Sequence, residues 1–112
     1  MQLETRKLLL DMLEAVSSIE EFTKGRTFAD LARDKLLRSG ISYQFVVIGE
    51  AISQLRRIDQ TTFDGISESS RIVGFRNQII HGYGFVKDNV TWQVIQDKLP
   101  ILKRELADLL AR

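Results

Sequence analysis

The feature that most constrains this chain is a spacing. Leu37, Ile41, Phe45, Ile48, Ile52 and Leu55 recur at intervals of three and four residues. That period puts six large apolar side chains on one stripe of an α-helix and scatters them on a strand. A helix carrying such a stripe must bury it against a neighbour. The same spacing recurs in Leu9, Met12, Leu13, Val16, Ile19 and Phe22, which predict a first helix from about Leu3 to Lys24, stopped by Gly25. The chain holds a single proline, Pro100, and so lacks much of the usual turn vocabulary. Long helices are the consequence.

The second helical segment runs from about Phe28 towards Ile58. Thr27 is expected to cap it, with Asp30 three residues later as a weaker version of the capping box. The spacing continues through Gly40, which predicts one long helix bent at Ser39-Gly40; a break into two helices there is the alternative. Gly49 and Ala51 are small enough for close approach by a neighbouring helix. Asp59 to Ser69 is polar, with Asp64-Gly65 as a turn signal, and reads as a long connection. Ser69 or Ser70 is expected to cap a third helix reaching about His81, with Ile72, Phe75, Ile79 and Ile80 on its apolar side. Gly82 and Gly84 then bracket Tyr83 in a tight loop. A last helical region begins at an Asp88 or Asn89 cap, carries Val90, Val94 and Ile95, and is divided or kinked by Pro100 before Leu102, Leu106, Leu109 and Leu110. The expected fold is all-α: one domain over residues 1–112, an antiparallel up-and-down bundle of four principal helices with the last one kinked.

Several chemistries are excluded by what is absent. With no cysteine, the chain forms no disulfide and no thiolate metal site, which fits a reducing cytoplasmic setting. One histidine rules out multi-histidine zinc sites within one chain. No cofactor is expected, and a carboxylate-bound magnesium ion has no motif behind it. A net charge of +1 means that nucleic-acid binding would rest on a local basic patch. Leu8-Leu9-Leu10 is far short of the ~20 apolar residues that span a bilayer, so no membrane association is expected. The N-terminus lacks the layout of a signal peptide.

The chemistry concentrates in Arg76-Asn77-Gln78-Ile79-Ile80-His81-Gly82-Tyr83, which contains the only histidine and one of two tyrosines. Arginine neutralises phosphate in a bidentate fork, and histidine moves protons near neutral pH. Asn77 and His81 are four residues apart and share a helical face. Arg76 and His81 are about 140° apart around an ideal helix, a gap narrowed by arginine's length or by a second copy across a dimer axis. A plain structural reading also stands: a surface histidine, an Arg76 paired with an acid on a neighbouring helix, and a packed Tyr83.

The pattern Arg, four residues, His, one residue, Tyr resembles that of the HepT toxin group of the HEPN superfamily, small helical ribonucleases. Ile48-Gly49-Glu50-Ala51 resembles that group's Ile-Gly-Glu-Ala signature, and Phe75-Arg76-Asn77 precedes the histidine as in the group. Val90-Thr91-Trp92 and Leu99-Pro100 resemble its closing helix, so the likeness spans nearly the whole chain. It implies a homodimeric, HEPN-like bundle that cleaves RNA without metal. It also implies a cognate antitoxin, a minimal nucleotidyltransferase called MntA in the best-known systems, which transfers AMP from ATP to the motif tyrosine and silences the toxin. On this resemblance Arg76 and His81 become the catalytic pair, Asn77 a supporting residue and Tyr83 the AMPylation target. Phe85 leaves the motif undisturbed. Gly84 departs mildly from relatives with a bulkier residue after the tyrosine.

Weaker expectations attach to other residues. Glu50, a charge within an apolar helical stretch, reads either as a site residue orienting Arg76 or as an anchor for a neighbouring helix or arginine. Arg56, Arg57 and Arg71 are candidates for guiding RNA by phosphate contacts, against the plainer reading of a solvated helix face. Trp92 and Phe85 are candidates for base stacking, or for core or interface packing. The rival to the enzyme is a non-catalytic HEPN domain that binds nucleotide or docks a nucleotidyltransferase. A purely structural helical dimer is a third reading.

Overall fold

Of the six residues in the opening stripe, five are completely buried and Leu37 nearly so, in a computed structural model that describes residues 1–82 and 86–112. They belong to α3 (Lys35–Ile58), the axle of the fold. On it packs α1 (Leu3–Thr23), which buries Leu9, Met12, Val16 and Ile19. The other flank of α3 receives α5 (Ser69–His81), through Ile72 and Phe75. The final long helix, α7 (Leu99–Leu110), returns to α1 and contributes Leu99, Leu102, Leu106 and Leu109. Phe45 of α3 meets Phe75 of α5 edge to face, with ring centroids 4.9 Å apart. Such a pair adds roughly 0.5–1.5 kcal/mol beyond the area it buries. Every regular element among the described residues is helical, so the all-α bundle of four principal helices is the fold observed.

Three short elements fill the joints: α2 (Phe28–Arg33), α4 (Gln60–Phe63) and α6 (Asp88–Gln93). The first corrects an expectation. The second segment does break, but at Asp34 and not at Ser39-Gly40. Asp34 is extended (φ −109°, ψ 98°); its N–H closes α2 on Asp30, and its carboxylate accepts from Leu37 N at 3.0 Å to open α3. Arg38 reinforces the joint, its Nη1 donating to the carbonyls of Leu31 (3.1 Å) and Ala32 (2.7 Å), which are left over at the end of α2. Gly40 stays helical, and the Phe22 ring covers the space a side chain would take. The capping box of Thr27 and Asp30 forms as expected, and the Thr27 backbone bond holds the Asp30 carboxyl below its ordinary range.

Other expected caps are replaced. Ser69 and Asp88 are the first residues of their helices; Glu68 and Lys87 occupy the cap positions without side-chain bonds. The Glu68 carboxylate is instead held by Lys98 at 3.3 Å. The expected long connection contains α4, capped by Asp59, which accepts from Thr62 N at 3.1 Å. Pro100 does not kink a helix at its own position. It sits in the first turn of α7, and the irregularity lies before it, in a π-helical stretch Val94–Lys98 where Leu99 N–H reaches back to Val94 O. A proline ring clashes with the carbonyl four residues earlier, and a wider turn there relieves that contact. Trp92 packs inside the chain, edge-on to Phe28 at 6.4 Å.

Candidate active site

The C-terminal half of α5 lies against α3 because Phe75 is buried between them. That fixes the neighbouring Arg76. Its stem crosses α3 at Gly49, where an added Cβ would sit 2.6 Å from Arg76 Cγ and 2.7 Å from its Cβ. Only a residue with no side chain leaves room for the arginine there. One step further along α3, Glu50 Oε1 forms an ion pair with Arg76 Nη2. Arg76 Nη1 donates to Asn77 Oδ1 at 2.7 Å. The four residues Ile48-Gly49-Glu50-Ala51 thus divide their work: Ile48 and Ala51 enter the core, Gly49 clears a path, and Glu50 holds the guanidinium.

The guanidinium is oriented but not saturated. Its side chain is 18% exposed, against 46% for Glu50. Arg76 Nε is buried with no hydrogen-bond partner among the described residues. A buried donor without an acceptor is uncommon and costly; because Nε is closed to solvent, the partly exposed edge of the guanidinium is the part that an incoming anion meets. Glu50 thus meets its plainer sequence reading, a carboxylate that anchors an arginine on a neighbouring helix.

His81 is the last residue of α5 and is exposed, one turn beyond Asn77 on the same face. Gly82 follows at φ 58°, ψ 24°, the left-handed conformation that ends a helix sharply and suits glycine. Tyr83, the expected modification target, lies outside the described residues, as do Gly84 and Phe85. The arrangement therefore brings Glu50, Arg76 and Asn77 into contact and carries His81 to the exposed end of the same helix.

Two clefts flank this part of α5. Asn77 and Gln78 point about 100° apart, as successive helical residues do. Gln78 lines a cleft of about 220 Å³ with Arg38, Ser42, Gly82 and Thr91. Asn77 lines another of about 290 Å³ between α3 and α5, with Ser53, Arg56, Phe63 and Ser70. The three arginines expected to guide RNA are sorted by the fold. Arg56 is in the Asn77 cleft, Arg57 lines a groove with Glu4 and Lys7, and Arg71 is exposed on α5. Phe63 was not singled out from the sequence; its ring supports Arg56, whose Cζ lies 5.6 Å from the centroid. A cation and an aromatic seven residues apart across a predicted connection gave no local signal of that contact. No described helix is long and apolar enough to cross a membrane.

Comparison with known proteins bears on the same residues. The sequence model of the family described as "Ribonuclease HepT-like" matches residues 12–109, which include every candidate site residue. A protein called a probable ribonuclease HepT in Thermococcus cleftensis is 30% identical over 103 residues, covering 90% of this chain and 91% of its own. One called a putative RNase in Methanocaldococcus jannaschii is 25% identical over 103 residues, covering 92% and 94%. Another so called, in Caldanaerobacter subterraneus subsp. tengcongensis, is 25% identical over 107 residues, covering 96% and 95%. No solved structure matches.

Proposed function

Because the chain belongs to the Ribonuclease HepT-like family, we propose that it is a metal-independent endoribonuclease, the toxin of a toxin–antitoxin pair, working as a homodimer. The observation that carries the reading is the seat built for Arg76. Gly49 admits its stem, Glu50 and Asn77 hold two nitrogens, and Nε retains an unmet donor. A guanidinium fixed in this way suits charge developing on a phosphorane-like transition state.

The reaction is attack by the RNA's own 2′-hydroxyl on the adjacent phosphorus. The 2′-O–P bond forms and the P–O5′ bond breaks. The 2′-hydroxyl proton leaves to a base and the 5′-oxygen takes one from an acid, giving a 2′,3′-cyclic phosphate and a 5′-hydroxyl. His81 serves one of these two proton transfers, and help of this kind contributes ~10²–10⁴-fold. With one histidine per chain, the other transfer falls to the dimer mate's copy, to water or to another group. Asn77 orients Arg76 through the 2.7 Å bond and faces the same side of α5 as His81.

Control follows from Tyr83. The partner is a minimal nucleotidyltransferase of the MntA kind. The phenol loses its proton to a base or water, its oxygen bonds to the α-phosphorus of ATP, and the bond from that phosphorus to the β-phosphate oxygen breaks to release pyrophosphate, so the toxin gains a bulky anion two residues from His81. The attached phosphate competes with RNA for the exposed edge of Arg76, beyond its ion pair with Glu50, and excludes RNA by charge and volume.

The test compares wild type with His81→Ala on a defined RNA panel in excess EDTA, with end-group analysis. Cleavage by wild type alone, leaving cyclic phosphate ends, is the expected result. Metal-dependent cutting that leaves 3′-hydroxyl ends refutes the mechanism. No cutting by a folded, AMP-free wild type moves the reading to the docking partner of a nucleotidyltransferase.

A further inference from the structure

We propose that the cleft between α3 and α5 is a subsite for a backbone phosphate of the RNA strand, with Arg56 as its binding residue. This rests on the ribonuclease reading and adds the path by which the strand reaches Arg76.

The first argument is electrostatic. The cleft is lined by Ser53, Arg56, Phe63, Ser70 and Asn77, together with small and apolar residues, and no carboxylate is among them. Each of four other clefts on the described surface includes at least one: Asp88, Glu4, Asp34, and Asp11 with Glu14. A polyanion meets like charge in those four and a lone cation in this one.

The second argument concerns the state of that cation. Two other arginines that frame clefts have partners: Arg38 is spent on two carbonyls and lies 4.0 Å from Asp88, and Arg26 lies 3.8 Å from Asp34; Arg57 has no ion pair among the described residues, but it shares its groove with Glu4. Arg56 has no carboxylate within ion-pair distance among the described residues. The Phe63 ring beneath it restrains the guanidinium by a cation–π contact without consuming its N–H donors. Arginine held against a ring in that way, in a cleft that Ser53 and Ser70 also line, suits a phosphodiester oxygen.

Continuity with the site is the third. Asn77 forms one wall of the cleft and accepts the hydrogen bond from Arg76. A strand with one phosphate against Arg56 is led along α5 towards Arg76 and the His81 end of the helix. Arg57, the next residue, faces a different groove and provides an internal control.

The test uses a His81→Ala background, so that RNA stays intact, and measures single-stranded RNA affinity by fluorescence anisotropy through a salt titration. Thermal melts report folding. Arg56→Gln is expected to raise Kd about tenfold at low salt, to do so for all sequences alike, and to lower the salt slope by about 0.7. Arg56→Lys keeps the slope, which separates lost charge from lost packing, and Arg57→Gln keeps both affinity and slope. An Arg56→Gln protein with unchanged Kd and slope overturns the proposal, as does an equal loss in Arg57→Gln. Loss of inorganic phosphate binding with RNA affinity intact assigns the cleft to a free anion and likewise overturns it. Arg56-dependent RNA binding by a chain that cuts no RNA upholds the subsite while the nuclease reading falls. Cleavage with an unaltered KM in Arg56→Gln does the reverse.

Discussion

Gly49→Ala isolates the physical basis of the candidate site. The new methyl group would lie 2.6 Å from Arg76 Cγ and 2.7 Å from Arg76 Cβ. The second distance is decisive. A crowded Cγ can be relieved by a rotamer change, but Cβ is fixed to the α5 backbone, so α5 must move away from α3. Overpacking of this kind costs typically 1–3 kcal/mol. Alanine also returns about 1 kcal/mol of helix propensity over glycine. The net expectation is a loss of roughly 0–2 kcal/mol, which is up to about 8 °C in Tm for a domain of this size. The effect on cleavage should be larger, because a displacement near 1 Å at a catalytic group costs about 10²-fold. Gly74→Ala is the matched control for stability alone, since Gly74 lines the Arg56 cleft: it lies on α5, its Cβ would meet nothing within 4 Å, and it should gain up to about 1 kcal/mol. Thermal and urea unfolding by circular dichroism give the stabilities, and single-turnover RNA cleavage gives the rate. A Gly49→Ala protein as stable as Gly74→Ala, cutting RNA at the wild-type rate, refutes the argument that Gly49 exists to admit Arg76.

Three further outcomes are expected. Glu50→Gln keeps the shape of the Arg76 anchor and removes its charge; with Glu50 46% exposed the stability change should stay within about 1 kcal/mol, whereas kcat for RNA cleavage falls at least about tenfold if the carboxylate aims the guanidinium. Asp59 has its carboxyl held below the ordinary 3.8, first by the Thr62 side chain, then by the Thr62 backbone N–H, with Thr5 assisting. A depressed folded value means stability present above pH ~4 and lost as pH falls through the folded value, so a plot of Tm against pH should fall more gently on the acid side for Asp59→Asn than for wild type. Tyr83→Phe should retain much of its RNA cleavage and gain no AMP by intact mass in the presence of the transferase and ATP; cleavage as low as in His81→Ala would make the phenol part of the chemistry.

What the sequence discloses and what it conceals follow from the range of the forces involved. The apolar stripes of α1, α3 and α7 repeat with the helix itself, so a local pattern suffices to find them. The joint at Asp34 is different. A capping aspartate in a helical stretch looks like any polar surface residue, and Gly40 looks like the weaker point. What decides is tertiary: Leu31 is fully buried, Phe28 docks on Trp92, and Phe22 covers Gly40. Pro100 was legible as a disturbance, but its ring acts on a carbonyl one turn earlier, and the strain appears in Val94–Lys98. The site divides along the same line. Gly49, Glu50, Arg76 and Asn77 carry unusual side chains for their local settings, and such departures stand out in a string of letters. Arg56 and Arg57 do not, since two adjacent arginines are equivalent until it is known what lies about 100° apart on either side of α3. On one side is a cleft walled by Asn77; on the other are Glu4 and Lys7. A residue's chemistry can be read from its own letter, but its electrostatic company is set by contacts distant in sequence, and that company makes Arg56 a candidate for phosphate where Arg57 is not.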